Sequence, residues 1–308
     1  MSADTANRRE QLLRSLLFVP GNDARKLQKA GSTGADLVVI DLEDAVAEAE
    51  KTDARALAAE AVQRLSAHAR VAVRVNGIET GRLEDDIASV AAAPGVSAIV
   101  VPKVEAADTL SAAADQLTRT ACKPEPGAEM IGLIALVETP LGIVRCEDTL
   151  GSAPARTITA MFGVADFSAA LGVELSDEGT ELLYARQRLI VAARAAGMPG
   201  PIDGPYLRLD DASGLLADTR RSRGLGFQGR VALHPRQVDP INRAYSELSD
   251  ERLAGAERIV AAFEEAEADG VASIRVDGRF VDYPVYELAR AQLRRHAAYR
   301  RETPTPPT

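Results

Sequence analysis

Tryptophan is absent, and all aromatic residues together make up only 4% of the 308-residue chain. The interior is therefore expected to be built from Ala, Val, Leu and Ile. Cysteine is scarce: Cys122 and Cys146 cannot make a disulfide framework and match no metal-binding spacing. Histidine occurs only at positions 68, 234 and 296, with His68 and His296 in segments that read as solvated helix. No apolar run is long enough to span a membrane, and Met1 to Arg14 lacks the apolar core of a secretion signal. A cytoplasmic protein is expected. Positive charge is in deficit, with a net charge of −9, which argues against nucleic acid as the main partner. A local basic site for an anionic ligand remains compatible with that balance. The chain shows no low-complexity linker and no internal repeat beyond a strand–helix unit.

What the sequence does contain is a series of short Val/Ile-rich runs ending in polar residues. Ile134-Ala-Leu-Val-Glu138-Thr139-Pro140 and Met161-Phe-Gly163-Val-Ala-Asp166 each read as a buried strand that delivers a carboxylate to a turn. A carboxylate there is costly unless something pairs with it. Two such carboxylates, with room for water and a substrate, suit Mg²⁺. Capping of the following helices is the alternative for each.

The same pattern recurs along the chain. Strands are predicted at Ser15–Val19, Asp36–Asp41, Val71–Val75, Ala98–Val101, Ile131–Val137, Thr157–Phe162, Pro201–Asp203 and Arg230–Leu233. Helical spacing occupies Ala45–Leu65, Leu83–Ala92, Ala106–Leu117 and Glu181–Ala196 between them. Eight alternating units predict an α/β protein, a (β/α)8 TIM barrel. Beyond it, a helix over Asp250–Glu267, a hairpin turning at Asp277-Gly278 and a last helix over Pro284–Tyr299 form a helix-hairpin-helix extension. The expected organisation is a flexible tail over residues 1–13 and a catalytic barrel over 14–245. An extension over 246–300 contributes to the oligomer and to a neighbouring active site, and a disordered tail covers 301–308.

In such barrels chemistry sits at the C-terminal ends of the strands. Those ends read Pro20-Gly21-Asn22, Asp41-Leu-Glu43-Asp44, Arg74-Val-Asn76-Gly77, Pro102-Lys103, Glu138-Thr139, Asp166, Asp203-Gly204 and His234-Pro235. Asp41, Glu43 and Asp44 serve either to cap a helix and pair with Arg74 or to support the site. Lys103 is a ligand for substrate or a structural ion pair. Asn76 touches substrate or forms a turn. His234 orients the site or ends its strand. Arg220, Arg221, Arg223 and Arg230 form a basic cluster that reads as a solvated helix face or a contact for phosphates.

Arg14-Ser-Leu-Leu-Phe-Val-Pro-Gly-Asn22, Asp41-Leu-Glu-Asp-Ala-Val46, Val73-Arg-Val-Asn-Gly77, Val101-Pro-Lys103, Val137-Glu-Thr-Pro140, Phe162-Gly-Val-Ala-Asp-Phe167 and Leu233-His-Pro235 resemble, in order, the motifs of the citrate lyase β-subunit-like family. The resemblance runs from about residue 14 to about residue 290. It implies Mg²⁺ held by Glu138 and Asp166, and Arg74 at the oxo acid and its developing oxyanion. It implies an acid/base Asp reaching the site from a neighbouring subunit, matched here by Asp282 in Gly278-Arg-Phe-Val-Asp-Tyr-Pro284. Asp41, Asn76 and Lys103 complete the expected substrate contacts, and Pro20, Gly21 and His234 the contacts to coenzyme A. The implied reaction is reversible cleavage of a 3-hydroxy-3-carboxyacyl thioester (citryl, malyl or citramalyl) to a 2-oxo acid and acetyl- or propionyl-CoA. A homotrimer or dimer of trimers is implied. A class II aldolase acting on free 4-hydroxy-2-oxo acids is the second reading, although its strand-one His is missing from Phe18-Val-Pro-Gly-Asn22. A non-catalytic barrel or ligand sensor is the third.

Overall fold

Eight parallel strands hydrogen-bond in chain order and close into a barrel in the computed structural model, which describes residues 13–92, 94–120 and 130–302, with side chains to residue 298. The strands are β1 (Ser15–Pro20), β2 (Leu37–Asp41), β3 (Val71–Arg74), β4 (Val96–Val101), β5 (Gly132–Val137), β6 (Thr157–Phe162), β7 (Ile202–Asp203) and β8 (Gly229–Ala232). Closure is made where β1 meets β8, with Leu16 opposite Val231 and Leu17 opposite Ala232. The helices are α1 (Ala24–Ala30), α2 (Lys51–Leu65), α3 (Leu83–Ala91), α4 (Ala107–Thr120), α5 (Pro140–Gly151), α6 (Val164–Leu171), α7 (Leu183–Ala195), α8 (Ala212–Leu225) and α9 (Val238–Ser246). This is the TIM barrel that the strand pattern predicts. Of the expected tails over 1–13 and 301–308, residues 1–12 and 303–308 lie outside the described residues, as does Cys122, while 301–302 continue the last helix instead of starting a disordered tail.

Side chains alternate across each strand. Leu16, Val39, Ala72, Val100, Ile134, Leu136, Met161 and Val231 fill the barrel interior. Leu17, Val38, Val73, Ile99, Ala135 and Phe162 face the helices. Both faces are covered, so the strands are continuous apolar runs. Helix starts are fixed locally: Asp23, Thr139 and Asp211 accept from the backbone N–H of Lys26, Gly142 and Gly214, and Pro140 opens α5.

The structure departs from the sequence reading in three further places. The α-helix expected from Ala45 begins only at Lys51, after a 3-10 turn at Glu48–Glu50, because the Lys51 ammonium turns back to the carbonyls of Leu42 (2.8 Å) and Glu43 (2.6 Å) and pins the residues before that turn as a loop. Arg230 does not join a solvated basic face; it is fully buried. Its Nε donates to the Gly204 carbonyl and its Nη1 to Thr219, while Nη2 pairs with Asp218 and Asp203. Asp203 is likewise not a mouth residue. On two-residue β7, Ile202 faces inward, so Asp203 faces outward, where it also pairs with Arg186 on α7 (3.2 Å).

Tyr245 ends the first compact unit and Ser246 begins the second. The second holds α10 (Asp250–Ala268), the antiparallel pair β9 (Ile274–Val276) and β10 (Arg279–Val281), and α11 (Tyr283–Glu302). Its core is Phe263 stacked on Tyr286 at 4.8 Å and edge-on to Tyr283 at 5.1 Å, with Val281 buried beside them. Asp277 and Gly278 both take positive φ, the geometry an Asp-Gly hairpin turn demands.

Candidate active site

The ends of β2 to β6 bring together most of the polar residues the sequence singles out. Asp41 ends β2 and Arg74 ends β3, opposite one another in register. Arg74 Nε and Nη2 donate to Asp41 Oδ1 and Oδ2 at 2.7 and 2.6 Å, a bidentate clamp. Its Nη1 lies 2.7 Å from Glu43 Oε2 and donates to Asp44 Oδ2 at 3.3 Å. The Phe18 ring lies beneath the guanidinium, 5.3 Å to its centroid. Burial works against the charge on Arg74, but Asp41, Glu43 and Asp44 more than offset it and leave the pKa above the ordinary arginine value.

Glu43 is buried, and neither of its oxygens accepts a well-aligned hydrogen bond. They are held by charge alone, Oε2 by Arg74 and Oε1 by Lys103 Nζ at 3.0 Å. Burial lifts this carboxyl to about 7 in spite of those cations.

Glu138 follows β5 and is also buried. Its Oε1 accepts the backbone N–H of Lys103 at 2.8 Å. The other side of the carboxylate faces bare Gly163: a Cβ there would lie 2.3 Å from Glu138 Cβ and 2.7 Å from Oε2. Gly163 is the N-cap of α6, whose first turn carries Asp166. Burial, then the charges of Glu43 and Asp166, raise the Glu138 carboxyl to about 8. Like charges gathered in a buried site, with one carboxylate face kept open by a glycine, match what a hard divalent cation needs. Among the described residues no cluster of at least three His, Cys, Asp or Glu forms a metal cage. Glu138 and Asp166 offer two hard oxygen donors and leave positions for water and substrate, a donor set that suits Mg²⁺.

Other expected contacts are spoken for within the protein. Asn76 is buried, and its amide and backbone N–H both donate to Asp86 on α3, at 2.6 and 2.9 Å. Both donors of Asn76 thus serve the turn that its alternative reading expects. Asp41 is occupied by Arg74 and by the N–H groups of Glu43 and Ala45. His234 Nδ1 accepts from Arg236 N at 3.1 Å, and Gln237 answers by accepting from His234 N, a reciprocal cap that ends β8. Gly21 lets β1 end close to β2: its N–H donates to the Asp41 carbonyl at 2.8 Å, and a Cβ would approach that oxygen to 2.9 Å. Pro20 is partly buried at the end of β1. In the second unit, Asp282 precedes α11 and makes one long capping contact to Val285 N, 3.4 Å. The left-handed backbone at Lys103, φ 51°, is a feature that sequence reasoning misses, since a Pro-Lys pair carries no signal for it.

A model of the family described as HpcH/HpaI aldolase/citrate lyase matches residues 14–235. The citrate lyase subunit beta of Leuconostoc mesenteroides subsp. cremoris is 34% identical over 284 residues, 92% of this chain and 92% of that protein. The mitochondrial citramalyl-CoA lyase of Homo sapiens is 32% identical over 286 residues, 90% of this chain and 83% of that protein. The crystal structure of protein CitE from Mycobacterium tuberculosis, in complex with magnesium, acetoacetate and coenzyme A, superposes with a TM-score of 0.76 at 28% identity. It covers 94% of this chain and 99% of that one.

Proposed function

The chain belongs to the HpcH/HpaI aldolase/citrate lyase family, and from that premise we propose that it is a Mg²⁺-dependent carbon–carbon lyase acting on 3-hydroxy-3-carboxyacyl thioesters of coenzyme A. The products are a 2-oxo acid and acetyl- or propionyl-CoA. The observation that supports the reading most is the contact chain from Arg74 through Glu43 and Lys103 to Glu138, with bare Gly163 beside the second Glu138 oxygen at the start of the helix that carries Asp166.

Glu138 and Asp166 are the residues that would hold Mg²⁺. Bound there, the metal supplies Lewis acidity toward the oxygen that becomes the oxo group. Arg74 offers a fixed cation to the same oxygen, and the Asp41 clamp orients it so that no reorganisation is needed when charge develops. Asp44, half exposed and at 3.3 Å the longest contact to Arg74, is the partner a substrate carboxylate displaces. The hydroxyl gives its proton to water as it becomes the oxo group, the C–C bond to the thioester α-carbon breaks with its electron pair going to that carbon, and Asp282 supplies the proton that the α-carbon takes up. Asp282 is supplied by a neighbouring subunit, and the working unit is a homotrimer. The match of residues 278–284 to the family pattern and their place in a compact unit of their own support this. A cytoplasmic setting fits a chain poor in cysteine; among the described residues no helix is long and apolar enough to cross a membrane.

Turnover of citryl-, malyl- and citramalyl-CoA by the full chain with Mg²⁺ tests the reading. The expected result is formation of a 2-oxo acid with acetyl- or propionyl-CoA, lost on chelation and lost in Glu138→Gln and Asp166→Asn. Cleavage of free 4-hydroxy-2-oxo acids alone would make the protein an aldolase. Free coenzyme A released beside an intact hydroxy diacid would make it a hydrolase.

A further inference from the structure

We propose that Lys103 is a positioning residue that acts from both of its ends: its backbone N–H aims Glu138, and its ammonium fixes Glu43 and, through it, Arg74. The inference rests on the metal-site reading above and assigns Lys103 to the protein's own carboxylates instead of to the oxo acid.

Among the described residues only Lys103 and Asp277 take positive φ without being glycine. Asp277 sits in a hairpin turn, where the turn type requires it. Lys103 follows β4 and Pro102 in a loop with no such requirement, and glycine would take its φ of 51° without steric cost. A strained non-glycine conformation persists when its surroundings over-determine it, and such residues cluster at functional sites.

Here the surroundings are identifiable. The left-handed turn points the Lys103 N–H at Glu138 Oε1, 2.8 Å away. It also sends the side chain to Glu43 Oε1 at 3.0 Å, with Glu79 Oε1 at 3.7 Å. The other Glu43 oxygen lies 2.7 Å from Arg74 Nη1. Glu138, Lys103, Glu43, Arg74 and Asp41 therefore form one unbroken chain of polar contacts across four strand ends. Glu138 is gripped on one oxygen by this donor and bordered on the other by Gly163, so the donor decides the plane of the carboxylate. The ammonium holds the strained backbone in place, and the strained backbone holds the carboxylate.

Glycine and alanine at this position separate the two ends. Both remove the ammonium, but only glycine stays left-handed once nothing anchors it. Titration of the full-length protein with Mn²⁺, followed by electron paramagnetic resonance, reads the backbone half. Lys103→Gly should bind Mn²⁺ within about twofold of wild type. Lys103→Ala should bind about fivefold more weakly, the factor that corresponds to ~1 kcal/mol of left-handed strain. Lys103→Asn, which tolerates that region, should follow glycine and serves if the alanine variant folds poorly. The ammonium half is read in turnover: Lys103→Gly and Glu43→Gln should each lower kcat, and their combination should lower it little further. Equal Mn²⁺ affinity in the Gly, Asn and Ala variants, or additive losses in the double variant, overturns the proposal while Glu138→Gln still abolishes Mn²⁺ binding. Unchanged Mn²⁺ binding in Glu138→Gln overturns the metal site itself, and this inference with it.

Discussion

Burial lifts the carboxyl of Glu138 to about 8 and that of Glu43 to about 7, from an ordinary value of 4.5. Between the ordinary and raised values the folded chain keeps protons that the unfolded chain has already released. Folding is therefore favoured at the acid end of that window and weakens as pH rises through it. The melting temperature of the metal-free protein should fall from pH 5.5 to pH 8, and Glu138→Gln should flatten much of the slope. An equally steep slope in that variant would show that other groups carry it. Arg74 behaves differently, because its charge is secure and its shape is what matters. A lysine cannot reproduce the fork that fits Asp41 while presenting further donors. Arg74→Lys should lower turnover by about 100-fold or more, the usual cost of one oxyanion donor, and leave coenzyme A binding nearly unchanged in calorimetry. Near-normal turnover would reduce Arg74 to a structural partner of the Asp41 loop.

At the scale of elements, the strands and hairpin were legible because apolar runs and turn residues alternate without interruption, and β6 matches its predicted bounds at Thr157 and Phe162. The loop from Leu42 to Ala47 was not, because Ala and Glu carry helical propensity and only the long reach of Lys51 overrides it. The pairing of Arg74 with Asp41 was one of two readings open in the sequence, since either residue could have faced the substrate. Least visible was the buried set Arg186, Asp203, Asp218 and Arg230. Its members lie on two helices and two strands, and the sequence pattern puts Arg230 in a basic cluster and Asp203 at the mouth while singling out neither Arg186 nor Asp218. Its burial makes a prediction. Arg230→Ala takes the fully buried cation from Asp203 and Asp218, leaving two buried carboxylates to share Arg186, and it should cost about 3 kcal/mol in urea unfolding. Arg208→Ala, which removes an exposed pair with Asp177, should leave the midpoint unmoved.

For the molecule as a whole, the proposed supply of Asp282 by a neighbour makes activity a property of the assembly. Subunits carrying Asp282→Asn and subunits carrying Glu138→Gln are each expected to be inactive. Mixed oligomers of the two should recover part of the activity, because some sites then hold an intact carboxylate pair and receive an intact aspartate. No recovery in oligomers verified as mixed would place the aspartate on its own barrel or outside the reaction. Sequence pattern located this residue but carried no measure of how far it lies from any mouth. The division of the chain also has a colloidal consequence. A closed barrel offers no free strand edge, whereas a two-stranded sheet leaves an unpaired ladder on each side. In the second unit those ladders run beside Phe280, 67% exposed, between arginines at 275 and 279 that discourage stacking. Residues 274–281 are thus the stretch to watch for fibril formation when proteolysis or truncation releases the C-terminal unit, and neutralising those two arginines should hasten it.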